Sequence, residues 1–253
     1  MNIMVTNDDG IDAPGIIALA KALRPLGRVA VVAPDREQSA VSHAITLHHP
    51  LRAEQRADDT YAVSGTPTDC VNLGIHNLLD FHPDLVVSGI NRGGNMGDDV
   101  TYSGTVSAAM EATLMGIPGV AVSLATSGSG IHYDDAALFV RRLVRRIGSE
   151  SLPPDTLLNV NIPDLPAERV RPPVITRQGR KRYQGAIVDN IDPRGRQYYW
   201  IGSIEPTYED IEGTDFAAVI RGHISITPLH LDLTNYASID LLRDWKLESI
   251  LSD

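Results

Sequence analysis

The sequence predicts an α/β protein with a Rossmann-like, doubly wound and mostly parallel sheet, and three observations predict it. Over residues 1–125, short continuous apolar runs alternate with segments whose apolar residues recur at helical spacing. Runs that are apolar at every position mark strands buried on both faces of a parallel sheet. Finally, 253 residues with an ordinary apolar fraction can bury a large core, and no repeat, low-complexity tract or linker divides the chain, so residues 1–253 are read as one domain.

The elements follow in order. "IMVT" is the first strand, ended by Asn7, Asp8, Asp9 and Gly10; "APGIIALAKALRPLG" is a helix in which Asp12 can cap, Pro14 suits the first turn and Gly27 follows the end. "VAVVAP" is the second strand. "ITLHHPLRAEQRADDTYAVSG" reads as an inserted strand pair, and "TPTDCVNLGIHNLL" as a helix. "DLVVSG" and "VAVSLA" are further strands, separated by the helix "GTVSAAMEATLMG". "DDAALFVRRLVRRIG" is a helix with acids at its start and arginines toward its finish, matching the helix dipole. After residue 150 the helical rhythm weakens. "GAIVDNIDPRGRQYYWIG" reads as a projecting β-hairpin turned at "DPRG"; "DFAAVIRGHISITPL" gives a short helix and a strand; the tail "SIDLLRDWKLESIL" is amphipathic.

Composition narrows the function classes. A net charge of −10 argues against binding to nucleic acid duplexes or to an anionic membrane surface, while leaving small phosphorylated ligands open. No apolar run approaches membrane-spanning length, and no basic leader precedes the first strand. With a single cysteine, Cys70, no intrachain disulfide can form, and the expectation is a cytoplasmic protein. Cys70, among apolar neighbours, reads as core; His48 and His49 have no partner at metal spacing; "GINRGG" lacks the spacing of a dinucleotide fingerprint.

In open α/β sheets ligands lie beyond the carboxyl ends of the strands. That rule gathers Asp8 and Asp9, "PDREQSA", "INRGGN" and "TYSGTV" at one edge. Two carboxylates about 4 Å apart repel by roughly 4 kcal/mol at an effective dielectric near 20, so the acid pair calls for compensation or for exposure to water. Asp8, Asp9, Ser39 and Asn91 form an oxygen-only donor set, which suits Mg²⁺ or Mn²⁺ better than Zn²⁺. Gly93, Gly94 and Gly97 let backbone amides converge, and Ser103, Gly104 and Thr105 open a helix whose N-terminus can face an anion. The same residues taken singly also fit a plain strand end, an N-cap and a loose loop. The basic run "RQGRKRY" at 177–183 is either a solvated face or a border of the pocket.

"NDDGIDAPGI", "VVAPDREQSAVSHAIT", "SGTPTDCV", "SGINRGGN", "YSGTVSAAMEA" and "GTDFAAVIRGHISITPL" occur in the order found in the survival protein SurE family of nucleotidases, which the chain resembles over nearly its whole length. The resemblance implies a metal-dependent hydrolase of nucleoside monophosphates, a 5′-nucleotidase with 3′-nucleotidase and exopolyphosphatase activity beside it. It implies one divalent ion per subunit, Mg or Mn, on Asp8, Asp9, Ser39 and Asn91, with Asp8 or Asp9 also taking the proton of the attacking water. Asn95 and the Ser103, Gly104 and Thr105 donors would hold the phosphate. It further implies a homodimer or homotetramer built through the hairpin arm near 180–203 and the tail near 230–253, although the arm could instead fold back as a lid. Ala40 departs from the glycine frequent in the family and leaves the path of that loop open. The alternatives are a non-catalytic nucleotide sensor using the same metal and amides, and a general phosphatase of sugar phosphates.

Overall fold

The computed structural model describes residues 1–126, 131–182, 187–201 and 207–252. Residues 183–186 and 202–203 of the expected arm, and Asp253 of the tail, lie outside the described residues.

The first strand, β1 (Asn2–Thr6), is buried along almost its whole length and leads to α1 (Pro14–Leu23). Pro14 takes the opening turn as expected, but Ala13 occupies the N-cap position and no side chain bonds there, so Asp12 does not cap. β2 (Arg28–Pro34) follows, then β3 (Ala53–Ala57) and β4 (Thr60–Val63), which pair antiparallel. Only the second half of the predicted insertion is strand. Residues 39–52 run as a long loop whose hydrogen bonds go to side chains and neighbouring loops. α2 (Pro67–Leu73) begins with a reciprocal capping box, Thr66 with Asp69. Next come β5 (Leu85–Arg92), α3 (Gly104–Leu114), β6 (Gly119–Ala125), α4 (Tyr133–Glu150) and β7 (Thr156–Pro163). β8 (Arg171–Ile175), β9 (Lys181–Arg182), β10 (Ile187–Ile191), β11 (Gln197–Ile201), β12 (Thr207–Tyr208), α5 (Asp215–Ile220), β13 (His223–His230) and α6 (Tyr236–Arg243) complete the order.

Nine strands form one sheet in the order β3-β4-β2-β1-β5-β6-β7-β13-β8. From β4 to β7 every neighbouring pair is parallel; β3 and β13 run antiparallel to β4 and β7 respectively. The order reverses direction at β1 and β5, so the loops after these strands open on one crevice, the usual place for a ligand. α1 and α4 cover one face over Ile3, Val5, Leu85, Val87 and Val122; α2 and α3 cover the other over Met4, Val32 and Val86. Each such fully buried side chain contributes roughly 1.5–3 kcal/mol. Cys70 is inside the second of these cores, and burial pushes its thiol well up, out of the range of a nucleophile.

β10 and β11 form the predicted hairpin, with Asp192 Oδ1 accepting the amides of Arg194 and Arg196 at 2.8 Å to shape the turn. Ile187, Ile191 and Tyr199 alternate along it with Val188, Tyr198 and Trp200, so both faces carry apolar residues, and all six are exposed.

Candidate active site

The carboxyl ends of β1 and β5, the loop after β2 and the start of α3 converge on one cavity of about 580 Å³. Asp8, Asp9, Ser39, Asn91, Asn95 and Ser103 all line it. The tyrosines Tyr102 and Tyr133 and the cations Arg92 and Lys181 complete the wall, so the basic run does reach the pocket through Lys181.

The adjacent acids are anchored by different elements. Asp8 is 6% exposed, and its carboxylate sits against the N-terminus of α3, where Oδ2 accepts the Thr105 amide at 3.0 Å and Oδ1 accepts the Thr105 hydroxyl. Any side chain at Gly104 would intrude, since a Cβ there would lie 2.9 Å from that of Asp8. Burial pushes the Asp8 carboxyl up to about 6; the Thr105 hydroxyl opposes that rise and the charge of Asp9 adds to it. Asp9 Oδ2 accepts the Arg92 amide at 3.0 Å. Its carboxyl is raised as well, by burial first and then by the charge of Glu37, against the pull of the Arg92 amide and charge.

The remaining oxygen donors are set by local bonds. The loop bearing Ser39 is tied to the end of β1 through the Gln38 amide on Asp8 O at 2.7 Å, and Ser39 Oγ donates to Glu37 Oε1 at 2.6 Å. Ser42 fastens the same loop to the segment before α3, and His43 Nε2 pairs with Glu111 Oε2 of α3 at 2.7 Å. The path follows a left-handed turn at Ala40 (φ +56°), the position where the missing glycine left the loop open. Asn91 lies just past a register shift between β5 and β6 that re-aims the strand end. Its Nδ2 donates to Gly93 O at 2.9 Å, so Oδ1 is the atom of this side chain able to ligate a cation.

Asn95 is 8% exposed and is gripped from below. Its amide donates to Asn161 Oδ1 at 2.8 Å, its Nδ2 to Ser123 Oγ at 2.8 Å, and its carbonyl accepts from Asn159 and Asn161 at 2.8 and 3.0 Å. Sequence reasoning missed Ser123, Asn159 and Asn161. The signal of the two asparagines was present in "LLNVNIP", where they stand two residues apart and share one face of an apolar strand. Of the expected phosphate donors, Asn95 and Ser103 reach the cavity. Thr105 spends both its hydrogens on Asp8, and Gly104 passes so close to the same side chain that a Cβ would not fit; neither lines the cavity. Ser103 Oγ also accepts the Val106 amide at 3.1 Å as the N-cap of α3.

The donors present are hard oxygens: two carboxylates, one hydroxyl and one amide carbonyl. Among the described residues no three His, Cys, Asp or Glu side chains cluster as a metal site. The oxygen set fits Mg²⁺ or Mn²⁺, which accept water and neutral oxygens beside one or two carboxylates.

A family model described as "Survival protein SurE" matches residues 3–185. The chain is 66% identical over 247 residues to a "5'-nucleotidase SurE" of Geotalea uraniireducens, covering 98% of this chain and 100% of that one. It is 66% identical over 249 residues to a "5'-nucleotidase SurE" of Geobacter sulfurreducens, covering 98% and 95% respectively. The crystal structure of the SurE protein from Aquifex aeolicus is similar over 100% of both chains, with a TM-score of 0.87 and 45% identity.

Proposed function

We propose, from the premise that the chain belongs to the survival protein SurE family, that it is a 5′-nucleotidase: a divalent-metal-dependent phosphomonoesterase that releases phosphate from nucleoside monophosphates. The observation that carries the reading is the meeting of Asp8, Asp9, Ser39 and Asn91 with Asn95 and Ser103 in one cavity large enough for a nucleotide. Two partly desolvated acids beside amide and hydroxyl donors make a poor site for an apolar ligand and a good one for a cation plus a phosphoryl group.

Asp8, Asp9, Ser39 and Asn91 would hold one Mg²⁺ or Mn²⁺ per subunit. Bound there, a divalent ion supplies charge neutralisation, polarisation of a phosphoryl oxygen and acidification of water. Asn95 and Ser103 hydrogen-bond the equatorial phosphoryl oxygens, whose charge has to be stabilised as the bond order at phosphorus changes. Water attacks in line, its oxygen bonding to phosphorus as the bond from phosphorus to the ester oxygen breaks; its proton passes to Asp8 or Asp9, and the departing alkoxide takes a proton from solvent. Thr105 keeps Asp8 in place, and Gly104, without a side chain, leaves room for it. Lys181 and Arg92 draw the anionic substrate inward. Because every one of these groups addresses the phosphoryl end, the site also suits 3′ monoesters and the terminal phosphate of polyphosphate. The single cysteine, buried and free, agrees with a reducing compartment, and we place the protein in the cytoplasm. The exposed apolar arm and the exposed Leu233, Tyr236, Leu241 and Trp245 of the tail favour a second copy of the chain as partner, as dimer or tetramer.

The test is phosphate release from purine and pyrimidine monophosphates, a sugar phosphate and polyphosphate, with Mn²⁺ or Mg²⁺ and with chelator. Release from the nucleotides that chelator abolishes and metal restores is expected. Nucleotide binding without any release would assign a sensor, and preferred hydrolysis of the sugar phosphate a general phosphatase.

A further inference from the structure

The motif "GTDFAAVIRGHISITPL" has no side chain lining the cavity, yet its Asp215 is 0% exposed. A buried carboxylate without a paired cation is costly unless donors surround it. Asp215 Oδ2 accepts the Gly97 amide at 2.7 Å; Oδ1 accepts the amides of Gly179 and Phe216, each at 2.8 Å. One carboxylate therefore joins the loop after β5, the approach to β9 and the start of α5. The first two segments carry cavity residues: Asn95 and Asp99 flank Gly97, and Lys181 follows Gly179. Lys181 Nζ closes the circuit on Asp99 Oδ2 at 2.7 Å, and Gln178 Nε2 donates to Gly97 O at 3.2 Å.

The joint has no slack. At Gly97 (φ +54°) a Cβ would lie 2.6 Å from Phe216 Cε2 and 2.8 Å from Gly179 O; at Gly179 it would lie 2.7 Å from Phe216 Cδ2 and 2.9 Å from Asp215 Oδ1. Phe216 is itself fixed by stacking on Tyr208, with centroids 4.0 Å apart. The Gly97 backbone is thus set by direct contact with α5 and with the Gly179 strand approach, while Asn159 and Asn161 hold Asn95 from the sheet side.

We infer that Asp215 is a positioning residue for phosphoryl binding: its carboxylate fixes the Asn95 loop against the Lys181 segment, so that the carboxy-terminal part of the chain governs phosphate contacts it never makes. The inference rests on the reading of the cavity as a phosphatase site.

Asp215→Asn keeps the shape but turns an N–H group toward the Gly97 or the Gly179 amide, donor against donor. Three measurements on the full chain test it: amide hydrogen exchange, Mn²⁺ affinity by titration calorimetry, and kcat with inorganic-phosphate inhibition on a nucleoside monophosphate. Val140→Ala, in the buried face of α4 away from the cavity, serves as a control for simple destabilisation. In Asp215→Asn, exchange at residues 93–99 and 177–181 should accelerate. Phosphate affinity and kcat should fall by on the order of ten- to a hundredfold, the scale of a displaced positioning group, with Mn²⁺ affinity unchanged. The control should lose stability while keeping wild-type kcat and phosphate affinity. Wild-type exchange, or wild-type kcat and phosphate inhibition, in Asp215→Asn would overturn the inference. If the wild-type protein hydrolyses no phosphomonoester with Mn²⁺, the proposed function fails by itself, and the exchange data still decide whether Asp215 pins the loop. Should Asp215→Asn fail to fold, exchange in the wild-type chain decides: the Gly97 and Gly179 amides, bonded to Asp215, should be strongly protected, and rapid exchange at both would overturn the inference.

Discussion

The crevice at the carboxyl ends of β1 and β5 and the arm formed by β10 and β11 depart from ordinary protein surface in opposite directions. In the crevice, polar and charged groups are buried: Asp8 and Asn95 are 6% and 8% exposed. On the arm, apolar groups are exposed, with Trp200 at 65% and Ile201 at 94%. Each inversion costs free energy, which in the crevice hydrogen bonds within the chain offset in part, and each suits a partner of complementary chemistry. Under the proposed function that complement is a cation and a phosphoryl group for the crevice and another apolar surface for the arm. On the proposed function the two regions therefore meet different partners and should fail separately.

The largest expected effect breaks the crevice alone. Asp9→Asn should lower turnover by more than about a hundredfold, beyond what loss of an outer-shell partner costs, and should weaken Mn²⁺ binding measured by calorimetry. Its sedimentation should match the parent. Full activity at limiting Mn²⁺ would remove Asp9 from the ligand set.

The second breaks the arm alone. Replacing residues 187–201 with a short Gly-containing turn should shift sedimentation to smaller species while leaving Mn²⁺ affinity at the Asp8 and Asp9 edge unchanged. An unchanged sedimentation coefficient with lost substrate affinity would make the arm a lid.

The third sharpens the electrostatic side. A carboxyl whose folded pKa of about 6 lies above its ordinary value near 3.8 binds protons more strongly in the folded state, so metal-free protein should lose stability as pH rises from about 4 to about 6. The shift corresponds to about 3 kcal/mol at higher pH. Asp8→Asn should therefore stabilise the metal-free protein in urea at pH 8, with little effect at pH 4, while abolishing metal binding. Equal stabilities of variant and parent at pH 8 would show that the Asp8 charge is not strained.

Much of this division was legible in the sequence, and the rest was hidden for physical reasons. The buried parallel strands announce themselves through the continuous apolar runs of "VAVVAP" and of "LVV" in "DLVVSG", and the hairpin because "DPRG" separates two β-prone runs. β7 was passed over because Asn159 and Asn161 interrupt its apolar run, and those same asparagines proved to hold Asn95. The six cavity-lining residues of the proposed site were readable from the rule that ligands lie beyond strand ends together with the family resemblance. That Thr105 serves Asp8 was not readable, since the acid and the helix start meet only in the folded chain. Asp215 lies 118 residues from the Gly97 amide it accepts, a distance no local pattern spans.

The smallest expected effect concerns the loop the sequence left open. Ala40 adopts a left-handed conformation, so Ala40→Gly removes a steric cost but adds freedom to the unfolded chain, for a net change under about 1 kcal/mol in urea unfolding. Turnover should stay at the parent level if the loop path already suits Ser39.

Anomalous diffraction from crystals soaked with Mn²⁺ and inorganic phosphate tests the central assignment most directly. The account predicts one manganese peak bound by oxygens of Asp8, Asp9, Ser39 and Asn91, with phosphate on Asn95 and Ser103 beside it. A peak held by other residues, or a crevice that takes neither ion under conditions in which the protein hydrolyses nucleotide, would contradict it.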